Sequence, residues 1–210
     1  MQIVNYSEPF PFSIIEDFLN EEQYNTVFSE IISLISFLET PDKTGAAFDY
    51  IDKYKVYKKQ NHGVYLDAVF EKNRQESAIL QYYDGIYQKH IMEVICQNGW
   101  FYEHYFPTTN HDSTLLQMYG NGDHYKQHKD YTNFTVIGLY HTNPKKFEGG
   151  ELRFASYDLD IILENNQVII FPSQIPHEVL PITSHAEKLQ DNRFTITRFI
   201  SRTIDLSYRK

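Results

Sequence analysis

An α+β fold is what this sequence predicts, and three observations predict it. Helical periodicity is confined to residues 1–110. Short strand-like runs broken by turn residues fill residues 113–205. No Pro/Gly/Ser-rich linker separates the two halves. A chain of 210 residues is long enough for one domain with a real core and short for two. With 41% apolar and 16% aromatic residues, it reads as globular and tolerant of sheet.

The first helix is marked by Asn20 as cap and Gln23 three residues later, a capping-box spacing. Tyr24, Val27, Phe28, Ile31 and Ile35 then recur at intervals close to three and four and form one apolar stripe. A second helical region is expected over 76–97. Ile79, Leu80, Tyr83, Ile86, Tyr87, His90 and Val94 line one side of it, and Gly85 is the weak point in its continuity. Residues 40–75 lack a clean period and read as loop, with a short strand near 63–66.

After residue 113 the period shortens. Strand candidates are 115–119, 133–141, 151–155, 167–171, 178–181 and 193–204. They are punctuated by Gly120-Asn121-Gly122, Asn143-Pro144, Gly149-Gly150, Asn165-Asn166 and Pro172, all residues with turn chemistry. Short strands at close spacing point to a sandwich, a barrel or a jelly roll. The Gly149-Gly150 pair is read as a tight turn that need not touch a ligand.

Charge excludes one class of partner. The net charge is −9, so the Lys/Arg surplus needed to hold nucleic-acid phosphates is missing, and a neutral or basic partner is favoured. The lysine-rich run 53–59 reads as a solvated face. The single cysteine, Cys96, cannot form an internal disulfide and sits in an apolar stretch as a small hydrophobe. The N-terminus has no basic start followed by an apolar core, and no run of about 18 apolar residues exists. The expectation is a soluble, cytoplasmic protein with no membrane association. Oligomeric state is not written in the sequence.

His128 and Asp130 are two residues apart, so in an extended segment both point to one face. His177 follows 49 residues after His128, behind a proline turn. Two imidazoles and one carboxylate leave three coordination sites of an octahedron open, a donor set suited to Fe(II). The lack of thiolates argues against structural zinc. His124 is read as a pocket-edge residue, and His185-Ala186-Glu187 as an exposed loop in a charged stretch.

Five stretches carry a wider pattern: QMYGNGDHYKQHKD (117–130), FTVIGLYHTN (134–143), FEGGELRF (147–154), NNQVIIFPSQIPHEVLPI (165–182) and RFTITRFI (193–200). In order and spacing they resemble the prolyl 4-hydroxylase-like branch of the Fe(II)/2-oxoglutarate-dependent dioxygenases. PFSIIEDFLNEEQ (11–23) resembles that family's entry into its first helix. The resemblance implies one domain over 1–210, with a double-stranded β-helix (jelly-roll) core supported by N-terminal helices. It implies Fe(II), 2-oxoglutarate and O2, with ascorbate as a further cofactor. His128, Asp130 and His177 match the iron ligands. Arg193 matches the basic residue for the distal carboxylate of 2-oxoglutarate, a role suited to a planar guanidinium fork. Arg193 follows His177 by 16 residues, a longer interval than is usual in the family, and 186–192 reads as an enlarged loop. The rival Arg198 alternates to the opposite face.

Thr195 shares the face of Arg193, and Tyr119 matches a pocket tyrosine. Tyr140 is a second tyrosine candidate for the cosubstrate, although both tyrosines also suit an ordinary sheet. Tyr125 falls on the substrate side of the metal. The resemblance implies hydroxylation of an unactivated C–H bond, with a prolyl residue of a peptide or protein as the expected substrate. A free amino acid or other small molecule is the alternative. Outside that activity stand a cupin-type metal enzyme without 2-oxoglutarate and a non-catalytic jelly-roll binding module.

Overall fold

The structure is a computed structural model and describes residues 1–203. Two antiparallel sheets face one another. The larger runs in the order Gln2–Tyr6, Phe12–Glu16, Val168–Pro172, Phe134–Tyr140, Arg193–Ser201, His111–Tyr119 and His62–Tyr65. The smaller runs Leu159–Ile161, Leu152–Phe154, His177–Val179, His124–His128 and Lys59–Gln60. From residue 111 onward the chain crosses repeatedly between the two sheets, which is the winding of a jelly roll.

Strand alternation divides the apolar residues into two cores. Along Arg193–Ser201, Phe194, Ile196 and Ile200 face the helices, whereas Arg193, Thr195 and Thr197 face the space between the sheets. Along Val168–Pro172, Val168 and Ile170 join the helix-side core, and Ile169 and Phe171 join the inter-sheet core. Phe134–Tyr140 lies mid-sheet and is covered on both faces, so its β-branched and aromatic residues are buried throughout.

The helix Glu21–Ser33 starts as the sequence predicts. Asn20 accepts from the Gln23 amide at 3.0 Å, and the Gln23 side chain accepts from the Asn20 amide at 3.0 Å. Its stripe buries Val27 and Ile31. Full burial of each such side chain stabilises the docked helix by about 1.5–3 kcal/mol.

The expected second helix is broken. It runs as Ala78–Tyr83, a 3-10 turn Asp84–Tyr87, and Lys89–Ile95. The interruption contains Gly85 and resets the helical phase. Ile91 and Ile95 therefore point into the core, while His90 is exposed and Val94 half-buried.

Residues 40–75 are more ordered than expected. They hold an exposed hairpin, Phe48–Ile51 with Tyr54–Tyr57, and two strands that extend the sheets, Lys59–Gln60 and His62–Tyr65. The first half of the chain is thus partly sheet, since Gln2–Tyr6 and Phe12–Glu16 also belong to the larger one. The last strand candidate forms as Arg193–Ser201, and its expected end at residue 204 lies outside the described residues. No helix among the described residues is long and apolar enough to cross a membrane.

Candidate active site

His128 ends the strand His124–His128 and His177 begins its neighbour His177–Val179, and the two residues are paired across the ladder. Asp130 follows where the chain leaves the smaller sheet. Its amide donates to the Ser173 carbonyl at 3.1 Å, and its own carbonyl accepts from Gln174 Nε2 at 2.9 Å. These backbone bonds fix the carboxylate opposite both imidazoles. One ligand atom from each of the three side chains lies within 4.8 Å of the others. His128 Nε2 is 3.7 Å from Asp130 Oδ1, and His177 Nε2 is 3.5 Å from Asp130 Oδ2.

The tautomers follow from the neighbours. Nδ1 of His128 lies 3.0 Å from the Lys126 carbonyl, and Nδ1 of His177 lies 2.9 Å from the Ile175 carbonyl. Each Nδ1–H donates to that oxygen, which leaves the Nε2 lone pair free. Asp130 Oδ2 accepts from Thr135 Oγ1 at 2.6 Å. Thr135 Oγ1 is itself 2.9 Å from Ser173 Oγ, which is 2.8 Å from Thr132 Oγ1. Burial, reinforced by His177, pushes the His128 pKa down to about 3, so its imidazole is neutral. Burial also raises the Asp130 pKa, against the opposing effects of His177 and Thr135. A cation at the centre would relieve that desolvation. Two imidazoles and a buried carboxylate fit a divalent metal that prefers nitrogen and oxygen ligands.

The triad opens into a cavity of about 920 Å³, with Arg193 also in its wall. Arg193 is 4% exposed. Its Nη2 donates to the Gly150 carbonyl at 3.1 Å, while Nη1 is buried without a hydrogen-bond partner. The guanidinium lies 4.9 Å from the centre of the Tyr119 ring, across the ladder pair Arg193–Tyr119. Burial lifts the Tyr119 pKa to about 12 against the opposing pull of Arg193, so the phenol keeps its proton. Its oxygen accepts from Gln117 Nε2 at 3.3 Å, and Gln117 Oε1 accepts from Thr197 Oγ1 at 3.1 Å. Thr195 is buried on the same wall. An unpartnered buried guanidinium N–H beside hydroxyl groups fits a carboxylate-bearing ligand.

Gly150 makes that placement possible. A Cβ there would stand 2.9 Å from Arg193 Nε, and its φ of +77° is one that side chains rarely adopt. The Gly149-Gly150 turn therefore bounds the cavity, contrary to its reading as a turn alone.

Of the residues singled out in the sequence, the structure brings His128, Asp130, His177, Arg193, Thr195, Tyr119 and Tyr125 to this one cavity. Tyr125 stacks on His128, with ring centres 3.5 Å apart and planes within 11°. Tyr140 is not brought there. Its strand does neighbour that of Arg193, but it pairs with Phe194, so alternation turns its side chain to the helices. There its hydroxyl accepts from Tyr83 at 3.1 Å. Arg198 lies on that helix side too, paired with Asp84 and with Asp112 at 2.8 Å. His124 is half-buried outside the cavity, and His185 is exposed.

The sequence reading missed Thr135, Ser173, Gln117 and Lys59. The first three are ordinary polar residues at strand positions, where inward-facing hydroxyls and amides carry no spacing signal. Lys59 was hidden in a run that reads as a solvated face.

Comparison with known proteins gives a consistent relationship. Residues 114–201 match the model of the 2OG-Fe(II) oxygenase superfamily. A PKHD-type hydroxylase of Synechocystis, itself uncharacterised, is 26% identical over 109 residues, or 43% of this chain. The match spans 36% of that relative's length. A prolyl-4-hydroxylase of Pseudomonas putida superposes with a TM-score of 0.60 at 18% identity, covering 92% of this chain and 93% of its own. A viral collagen prolyl hydroxylase from Paramecium bursaria Chlorella virus-1, solved with 2-oxoglutarate, gives 0.55 at 15% identity, covering 92% and 96%. Over residues 114–201 this chain is similar in sequence to the 2OG-Fe(II) oxygenase superfamily, and over nearly its whole length it is similar in fold to solved prolyl hydroxylases.

Proposed function

We propose that the chain is an Fe(II)- and 2-oxoglutarate-dependent dioxygenase that hydroxylates an unactivated C–H bond, with a prolyl residue of a peptide or protein as the substrate. The observation that carries this reading is the joint placement of the His128–Asp130–His177 cluster and a buried, incompletely partnered Arg193 in one cavity. In this reading the three side chains hold the iron and leave coordination sites open. Bound iron with its cosubstrate supplies oxygen activation coupled to oxidative decarboxylation of 2-oxoglutarate.

The remaining work falls to this chain's own residues. Arg193 would bind the far carboxylate of 2-oxoglutarate, with Thr195 and the protonated Tyr119 beside it. The backbone carbonyls of Lys126 and Ile175 hold the imidazoles in register, and Thr135 holds the carboxylate. Tyr125 fixes the plane of His128 by stacking on it. Asp130 would supply the third protein ligand to the iron, and hydroxylation is the outcome we propose. The cavity is at the upper end of the usual range for small-ligand sites, roughly 300–1,000 Å³, and could take cosubstrate together with the reacting part of a substrate.

Anaerobic titration of the full chain with Fe(II) and 2-oxoglutarate tests the assignment. The expected result is the weak visible charge-transfer band of the metal–cosubstrate complex, absent in Asp130→Ala and weakened in Arg193→Ala. Wild-type protein that binds iron without giving the band would refute the 2-oxoglutarate assignment.

A further inference from the structure

The cavity has a charge pattern that the metal and the cosubstrate explain only at Asp130 and Arg193. The chain as a whole carries a net charge of −9. Its cavity wall is the reverse, with five cationic side chains, Lys58, Lys59, Lys129, Lys145 and Arg193, against two carboxylates, Asp130 and Glu151. Of these carboxylates, Asp130 belongs to the metal cluster.

Lys59 differs from the other lysines. The strand Lys59–Gln60 is laid against His124–His128 with Lys59 opposite Tyr125. Residues directly opposite in an antiparallel pair share a face, so Lys59 is aimed into the cavity alongside Tyr125. It is only 4% exposed. Its one hydrogen bond among the described residues is a long one, from Nζ to Thr44 Oγ1 at 3.4 Å. The ammonium also sits 5.8 Å from the centre of the Tyr125 ring, near the outer limit of about 6 Å for a useful cation–π contact. Among the described residues no carboxylate lies within salt-bridge distance of it. Lys58 by contrast is partnered by Asp49 at 3.4 Å.

A buried ammonium ordinarily has a paired charge and several acceptors, because desolvation is costly without them. Burial accordingly draws the Lys59 pKa down to about 8. The surroundings leave room for an acceptor. Gly45, Ala46 and Ala47 form the cavity wall beside Thr44, and the Ala47 amide donates to Tyr125 Oη at 3.0 Å, which ties that segment in place. Lys59 thus stands on the smaller sheet, on the strand beside the Tyr125 ring that stacks on His128, whereas Arg193 stands on the larger sheet.

We propose that the substrate carries an anionic group, a carboxylate or a phosphate, that seats against the Lys59 ammonium beside Tyr125. This rests on the oxygenase reading above and narrows its substrate from any prolyl-containing segment to one that carries an acidic group near the reacting residue. The surplus of lysines around the cavity would draw such a substrate in, despite the net negative charge of the molecule.

The test is calorimetric titration of two simple probes, inorganic phosphate and N-acetyl-L-aspartate, into the full chain loaded with Mn(II) and saturating 2-oxoglutarate. At least one probe is expected to saturate a single site in wild type. Affinity should fall about tenfold or more in Lys59→Met, as for loss of one partner of a buried charge pair, and be largely kept in Lys59→Arg. The probe that saturates names the carboxylate or the phosphate as source. Three results would overturn the proposal: neither probe saturates the loaded wild type, Lys59→Met binds as tightly as wild type, or Lys59→Met loses 2-oxoglutarate itself, which would make Lys59 part of the cosubstrate site. A missing charge-transfer band with Fe(II) in the wild type is a separate result, which removes the oxygenase reading and this proposal with it.

Discussion

Arg193 reaches the cavity because Gly150 gives it space. A methyl at residue 150 would meet Arg193 Nε at 2.9 Å from a backbone already at φ +77°. We expect Gly150→Ala to weaken 2-oxoglutarate binding about tenfold or more, by turning the guanidinium away from a charge-assisted bond. Mn(II) affinity measured without cosubstrate should not change, because the metal cluster lies elsewhere in the wall. Equal losses of both would mean that the substitution disturbs the fold and not the anchor. Lys59 offers a second residue-level outcome. Its folded pKa of about 8 lies below the usual 10.5. Between these values the unfolded chain binds more protons than the folded one, so stability rises with pH through that window, and the full cost is present below pH 8. Urea denaturation should show this rise in wild type and not in Lys59→Met, and the variant should be the more stable near pH 7. Parallel profiles would show that Lys59 is better solvated than its burial indicates.

Among the elements, the strand Phe134–Tyr140 and the helix Ala78–Tyr83 meet most closely at Gly138. A Cβ there would run into the Tyr83 hydroxyl, which donates to Tyr140 inside a fully buried cluster. Gly138→Ala is expected to destabilise the chain by about 1–3 kcal/mol, the range for overpacking. It should lower the urea midpoint without changing the slope. The same contact explains where sequence reasoning stopped. Asn20 and Gln23 announced the first helix, since a capping box needs only local residues. The longer strands after residue 113 were legible because β-branched runs alternate with turn residues, whereas His124–His128, Phe147–Gly149, Leu159–Ile161 and Ile182–Ser184 carry no such run and were not among the candidates. Tyr140 was not, because its direction depends on the register between Phe134–Tyr140 and Arg193–Ser201, a pairing of distant segments. The break at Asp84–Tyr87 was signalled by Gly85, but the phase it imposed on Ile91 and Ile95 was not. The short strand expected near 63–66 forms as His62–Tyr65, but the hairpin and Lys59–Gln60 had no clean period to read, and the hairpin is largely exposed.

At the scale of the whole molecule, the metal cluster was the most legible feature. The two-residue spacing of His128 and Asp130 is local, one strand pairing brings His177 to His128, and backbone bonds to Ser173 and Gln174 complete the placement of Asp130. The rest of the cavity depends on how two sheets are spaced, which no local pattern encodes. Binding only to the folded state stabilises it by mass action, by about 2.7 kcal/mol at a hundredfold excess over Kd. Mn(II) with 2-oxoglutarate should therefore raise the melting temperature of wild type, while Asp130→Ala should show little of this shift. His128 and His177 stand on the smaller sheet, and Arg193 on the larger. A ligand gripped by both would act as a tie rod between the two walls, added to the apolar contacts they already share. The empty protein would then breathe across the gap, and amide exchange in the short strands bearing the histidines would slow when metal and cosubstrate are present together, but not with metal alone.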